Sequence, residues 1–371
     1  MRFHIVKRDH CPLWKKLCLY LLAVGAALAL GGVVLLALGV DPLAYYSRMF
    51  TMGMIGNKIA YKTFENYLKV FVPLVITSVA LSLAFKMRFW NIGGEGQFIL
   101  GAIAAATVAL RLGGAMPGGV VLIVMCLAAM LAAGLYGTLV AVLKVKFGTN
   151  ETLMTLMLNY VALYLLIFLG ETQGTWNFYL DPASARPVFA SFAKLAAFPK
   201  FAIGRFNLNL CVVLALLLGA FIFLYLKYTK HGYEIAVVGD SPGTARYAGM
   251  KVDAIVLRTV FLSASLIGLA AAFKVGTAGI LSTAITDSVG WTGIIVAWLS
   301  QLNTAVIFLS AALISMLHYG STVAAATFSK VDSSFANMLQ GVILFFVLAA
   351  DFFTRFQVVR AQKRGTGNAN G

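Results

Sequence analysis

Three stretches of this 371-residue chain set polar or charged side chains beside glycine or proline at spacings that could do chemistry. In Asn91-Ile-Gly-Gly-Glu-Gly-Gln97, three glycines within four residues allow tight turning and close approach of a neighbouring backbone. Glu95 and Gln97 would be held there by exposed amides or by an adjacent helix. Equally, Asn91 could cap a helix whose positive end favours Glu95. Capping and a working role both stay open. The second stretch, residues 232–250, carries Glu234, Gly239, Ser241, Pro242, Arg246, Tyr247 and Gly249. Serine before proline is a helix start and Gly249 a stop, which predicts a short helix of about two turns over 241–249. Arg246 and Tyr247 would be available to a partner. A plain solvated connector is the alternative, but a connector has no need of such punctuation. The third comprises the polar interruptions 282–291, ending in Trp291, and Gln301-Leu-Asn303.

Several chemistries lack their residues. The histidines His4, His10, His231 and His318 are far apart, no HExxH occurs, and no paired carboxylates lie within an apolar run. No GxxxxGK[ST] loop is present, so ATP hydrolysis of the P-loop kind is not expected of this chain. Cys11, Cys18, Cys126 and Cys211 form no CxxC pair, and neither a disulfide nor a metal site is expected. No catalytic residue and no cofactor is assigned.

The elements that position these residues are apolar helices. Of the chain, 61% is hydrophobic and 11% charged, against about 25% charged in soluble domains. A bilayer core of about 30 Å needs about 20 apolar residues per crossing. Such runs predict an all-α polytopic membrane protein with spans near 17–40, 68–85, 93–111, 118–143, 152–170, 209–227, 255–273, 288–300, 304–318 and 335–353. The pair 288–300 and 304–318 is short, and could form two crossings or a re-entrant hairpin. Residues 1–16 read as a cytoplasmic N-terminus, 17–353 as a single membrane domain with a long inner loop at 228–254, and 354–371 as a cytoplasmic tail, polar and disordered over 365–371. The first span is too long for a cleaved signal. Basic residues such as Lys15, Lys16, Lys86, Arg88, Lys144, Lys146, Lys227 and Lys230 gather on one side, which predicts both termini in the cytoplasm. The net charge of +16 therefore reports topology, and nucleic-acid binding is not expected.

Charge placement also bears on energy coupling. Glu95, Glu151, Arg258, His318 and Asp351 fall near span ends, and no predicted midplane carries a charge, which disfavours an ion-coupled carrier. Asp287 reads as a hydrated outer-loop charge. Asn159, Asn337 and Gln340 at membrane depth suit interhelical hydrogen bonds, and Gly25/Ala29 and Gly268/Ala272 suit close helix packing. Short or broken helices often frame a translocation route, so Asn91, Glu95, Gln97, Asn159, Trp291 and Asn303 are its candidate residues.

In order and spacing, Asn91–Gln97, the stretch 232–250 and Gly290-Trp-Thr-Gly-Ile-Ile-Val-Ala297 resemble three blocks of the nucleoside and simple-sugar branch of bacterial ABC importer permeases, a type II-like permease fold. Gly94 and Gly239-Asp-Ser-Pro-Gly243 depart from that branch's pattern in detail. The resemblance implies a multi-pass inner-membrane subunit working with an ATP-binding ABC subunit that holds ATP and Mg, a second homologous permease forming a heterodimer, and an extracytoplasmic solute-binding lipoprotein. It also implies that 241–249 is the coupling helix through which the ATPase drives alternating access. The cargo it implies is a small polar solute, a nucleoside first, with a simple sugar or riboflavin as alternatives.

Overall fold

The computed structural model describes residues 3–7, 12–55, 57–328, 330–332 and 334–360. Cys11 and the tail 365–371 lie outside them. Strand β1 (Phe3–Lys7) is followed by helices α1 (Leu13–Ala37), α2 (Pro42–Phe50), α3 (Ala60–Lys86), α4 (Gly94–Leu112), α5 (Gly118–Phe147) and α6 (Glu151–Glu171). The strands β2 (Lys200–Ile203) and β3 (Phe206–Asn209) form an antiparallel hairpin before α7 (Leu210–Tyr228). After it come α8 (Lys230–Asp240), α9 (Pro242–Tyr247), α10 (Val252–Ala278), α11 (Val289–Leu299), α12 (Thr304–Ala325), α13 (Phe335–Arg355) and β4 (Phe356–Arg360). Among the described residues, nine helices are long and apolar enough to cross a membrane. The all-α polytopic class holds.

The chain divides into two compact units. One comprises Met1–Met52 and Gly320–Gly371. In it β1 pairs antiparallel with β4, Phe3 opposite Arg360, so α1 starts where α13 ends, and these two helices pack together. Asp41 caps α2 by accepting the Leu43 N–H at 3.0 Å, with Pro42 as the first helical residue. The buried Tyr45 hydroxyl shares a 2.7 Å hydrogen bond with Ser321, and Tyr46 donates to the Leu28 carbonyl at 2.7 Å. Gly25, read as a packing residue, has open space where a Cβ would stand.

In the other unit, Gly53–Tyr319, α10 is the hub and packs against α3, α4 and α5. Lipid gives no hydrophobic drive for helices to associate, so close backbone approach and polar contacts must hold them. Gly268 serves the first purpose: a Cβ there would strike the Ala129 carbonyl, and one on Gly101 would stand 2.7 Å from the Gly268 Cα. Ser263 serves the second, donating to the Ala80 carbonyl at 2.7 Å.

The pair expected at 288–300 and 304–318 resolves unequally. α12 has 22 residues, a full crossing, although its end from Gly320 belongs to the other unit. α11 has 11 residues and at 1.5 Å per residue covers about 16 Å, half a hydrocarbon core. It starts beside Glu95 and Ser78 and ends with Trp298 stacked on Trp90 at 5.3 Å, past the C-terminal end of α3. The non-helical link before it starts at the opposite end of α10, where the Gly279 carbonyl accepts from Phe192. Residues 279–299 therefore make one broken traverse of this unit, the first half a chain of turns and the second half helical.

Candidate functional site

The break in that traverse is built from α4. The α4 N-terminus is held by Asn159 of α6, which accepts the Gly96 N–H at 2.8 Å and donates to the Ile92 carbonyl at 2.9 Å. Asn91 and Gln97 are fully buried and bond each other twice, at 3.1 and 2.9 Å, while the Asn91 oxygen also accepts the Gly93 N–H. Asn91 and Gln97 thus satisfy each other, while Asn91 and Asn159 also bond the surrounding backbone.

Glu95 points the other way. Its carboxylate accepts the Gly290 N–H at 2.8 Å and is also hydrogen-bonded by the Trp291 N–H and the Thr286 hydroxyl. A helix N-terminus leaves unpaired N–H groups carrying partial positive charge, and a carboxylate answers both. Glu95 thus caps α11 from a different helix. The ends of α11 are unusual in the backbone too. Asp287 and Ser288 precede it at φ 50° and 56°, and Gln301 and Leu302 follow it at 49° and 59°. Non-glycine residues in this left-handed region each carry strain of about 1–2 kcal/mol, and here they come in consecutive pairs at both ends. Trp291 lies on α11, partly exposed, and Asn303 caps α12 by accepting the Ala305 N–H at 3.0 Å.

The stretch 232–250 lies at the end of the unit where α3 finishes and α10 begins. It holds two helices, where one short helix was expected from the sequence. Ser241 ends α8 and caps α9, accepting the Thr244 N–H at 3.2 Å, Pro242 is the first residue of α9, and Gly249 takes φ 77° just beyond it. α8 is braced from two sides. Glu234 accepts from Arg258 of α10 at 2.8 Å and contacts His231 at 3.3 Å, and the Arg258 guanidinium holds its carboxyl below the usual carboxylate range. Gly239 lies so close to the Lys86 carbonyl that a Cβ would strike it. Below the pair, Ile235, Val238 and Ala245 join Ala84, Phe89 and Ile255 in one apolar cluster. Tyr247, in contrast, is 95% exposed, and Arg246 is exposed beside Asp253 at 3.6 Å.

Residues 63–348, most of the chain, match the model of the branched-chain amino acid transport system permease component family. The chain belongs to this permease family. It is a transport subunit and a multi-pass protein of the plasma membrane. Three full-length relatives are similar to it. The glucose ABC transporter permease protein TsgB13 of Haloferax volcanii is 29% identical, over 96% of this chain and 94% of its own. The guanosine ABC transporter permease protein NupP of Bacillus subtilis is 28% identical, over 93% and 96%. The nucleoside ABC transporter permease protein NupB of Lactococcus lactis is 23% identical, over 94% of each.

One charged cluster in the permease departs from the sequence expectation. Asp287 is not simply a hydrated loop charge: its oxygens lie 3.7 Å from Lys274 of α10 and 3.7 Å from His318 of α12. Both partners are largely buried and lie inside their helices, which run to Ala278 and Ala325, past the expected ends at 273 and 318. Hydropathy stops at a charge; here an opposite charge from the broken segment lets the helices continue. The signal was present as Asp287 in an otherwise uncharged link.

Proposed function

We propose that the permease is the membrane-spanning subunit of an ATP-driven importer of a small polar solute, a nucleoside first, with α8 and α9 as the lever through which a separate ATP-binding subunit moves it. The observation that carries this reading is the contrast within 230–249: a base locked to α3 and α10 through Gly239 and Glu234, and a capped tip whose Tyr247 touches almost nothing. A rigid base transmits force and an uncovered aromatic beside an arginine suits a protein partner. The same end of the unit carries Lys86, Arg88, Lys144, Lys146, Lys227 and Lys251, which supports a cytoplasmic placement of that end. α11 is the element best suited to move, being short, strained at both ends and capped by one side chain. Glu95 and Trp291 would then border the route, while Asn91, Gln97 and Asn159 hold the wall behind it and Asn303 starts the helix beyond. ATP and Mg would sit in the partner, a second homologous permease would complete the pore, and a solute-binding lipoprotein would deliver cargo. The names of the relatives support both nucleoside and sugar cargo.

The test is reconstitution with the ATP-binding subunit. Because the side chain of Tyr247 is almost wholly in solvent, Tyr247→Ala should leave the melting temperature unchanged while ATP-dependent guanosine uptake falls at least ten-fold, as should Arg246→Glu. Tyr247→Cys should cross-link to the ATP-binding subunit. Full uptake by both variants, or labelling of Tyr247→Cys from outside intact cells, would refute the assignment. Glucose uptake in place of guanosine would retain the lever and change the cargo.

A further inference from the structure

A cavity of about 260 Å³ lies where the first turns of α3, the β2–β3 hairpin, the start of α7 and the end of α10 meet, at the opposite end of its unit from α8 and α9. Three ammonium groups line it, Lys69, Lys200 and Lys274, from three separate elements. Lys69 lies within electrostatic reach of both Lys200 and Lys274. Two carboxylates answer them. Asp287 pairs with Lys274 at 3.7 Å, and Glu65 has one oxygen already taken by the Asn207 backbone N–H at 2.7 Å and side chain at 3.3 Å. Lys69 donates to Asn66 at 2.8 Å, whereas Lys200 has no hydrogen-bond or ion-pair partner among the described residues. The three lysines of the lining thus face one carboxylate within it, Glu65, and one behind it, Asp287, which leaves one positive charge in excess. The rest of its wall sets the apolar Leu68, Val72 and Val212 beside the polar Asn207, Asn209 and Thr277.

Depth narrows the ligand. α3 has 27 residues, about 40 Å, so it outruns a 30 Å core, and Lys69 lies about 14 Å from its first residue while Lys274 lies about 6 Å from the last residue of α10. Both lie in the half of their helix farther from α8 and α9, toward one face of the bilayer. We propose that this cavity binds the phosphodiester headgroup of a phospholipid, its single negative charge cancelling the excess among Lys69, Lys200 and Lys274 and its glycerol and upper acyl carbons lying on the Leu68, Val72 and Val212 wall. A soluble phosphodiester shares the headgroup chemistry but not the acyl chains. Basic pockets between membrane helices recognise headgroups by this combination of ammonium donors and adjoining apolar surface.

The experiment is native mass spectrometry of the full chain released from nanodiscs containing dioleoylphosphatidylglycerol or, as a control without phosphate, dioleoylglycerol. The wild type should retain one phosphatidylglycerol at least ten-fold over dioleoylglycerol. Lys200→Gln, an exposed change on β2 that leaves the fold intact, should reduce retention at least three-fold, and Lys69→Gln with Lys200→Gln at least ten-fold. Glycerophosphocholine added in excess should compete weakly. Equal retention of dioleoylglycerol, or unchanged retention in monodisperse lysine variants, would overturn the proposal. Saturable binding of glycerophosphocholine with no lipid retained would overturn the lipid assignment in favour of a soluble ligand. None of these readouts depends on transport.

Discussion

Glu95 occupies a place where charge as well as geometry matters, because the N–H groups of α11 present a partial positive charge in a water-poor interior. Glu95→Gln keeps an acceptor and loses the charge; Glu95→Ala loses both. Thermal unfolding in detergent should show a loss of about 1 kcal/mol for the first and about 2 kcal/mol or more for the second, and equal effects would contradict the capping role. Asn159→Ala strands the Gly96 N–H and the Ile92 carbonyl in the interior, at about 1–3 kcal/mol for each unsatisfied group, and should be among the most damaging single changes in the unit. These residues stand out in the sequence through their polarity within apolar runs. Their partners do not, since Asn159 lies 63 positions from Gly96 and Glu95 lies 195 from Gly290. Side-chain polarity marks a residue that needs a partner, and only the fold supplies which one.

The elements were readable where local chemistry is sufficient. Ser241-Pro242 and Gly249 punctuate α9 as their types require, and the apolar runs of α5 and α7 are helices close to the expected limits, whereas α3 starts eight residues before its expected first residue, at Ala60. α8 was less visible because its helical stretch, Lys230–Asp240, is amphipathic and is stabilised by packing on Lys86 and Arg258. The helical half of the broken traverse, α11, falls where the short run 288–300 was read, but the turns of 279–288 before it were not legible, because hydropathy records how apolar a run is and not the path of its backbone. Its strain is testable. Ser288→Gly removes the Cβ at φ 56° from a residue whose side chain makes no capping bond, and should raise stability by about 1 kcal/mol, measured as a melting temperature a few degrees higher. The brace on α8 carries a pH signature. Arg258 lowers the Glu234 pKa, so the pair's contribution is complete above the ordinary carboxylate pKa and fades as pH falls through the lowered value. The melting-temperature gap between wild type and Glu234→Gln should therefore be constant near neutrality and close below about pH 4, and a gap that widened in acid would contradict the pairing. The partly exposed ion pair contributes about 1 kcal/mol or less.

At the scale of the whole molecule, the pairing of β1 with β4 brings the segments that flank α1 and α13 together within one unit. Among the described residues nine helices are long and apolar enough to cross a membrane, and α11 is a shorter apolar helix beside them. The class was legible from composition alone, since 61% apolar residues cannot be hidden in a soluble fold of this length. The cargo was not, because recognition depends on which few polar groups face the route, and the surrounding helices look alike for any of them. The central claim is that movement of this permease is powered from outside itself. The most direct measurement is guanosine accumulation in proteoliposomes containing the permease, its partner permease and the ATP-binding subunit, with the solute-binding protein present at the face opposite the ATPase. Accumulation against a gradient should require ATP together with the ATP-binding subunit and should survive a protonophore; accumulation by the permease alone, or its collapse on adding the protonophore while ATP remains, would contradict the account.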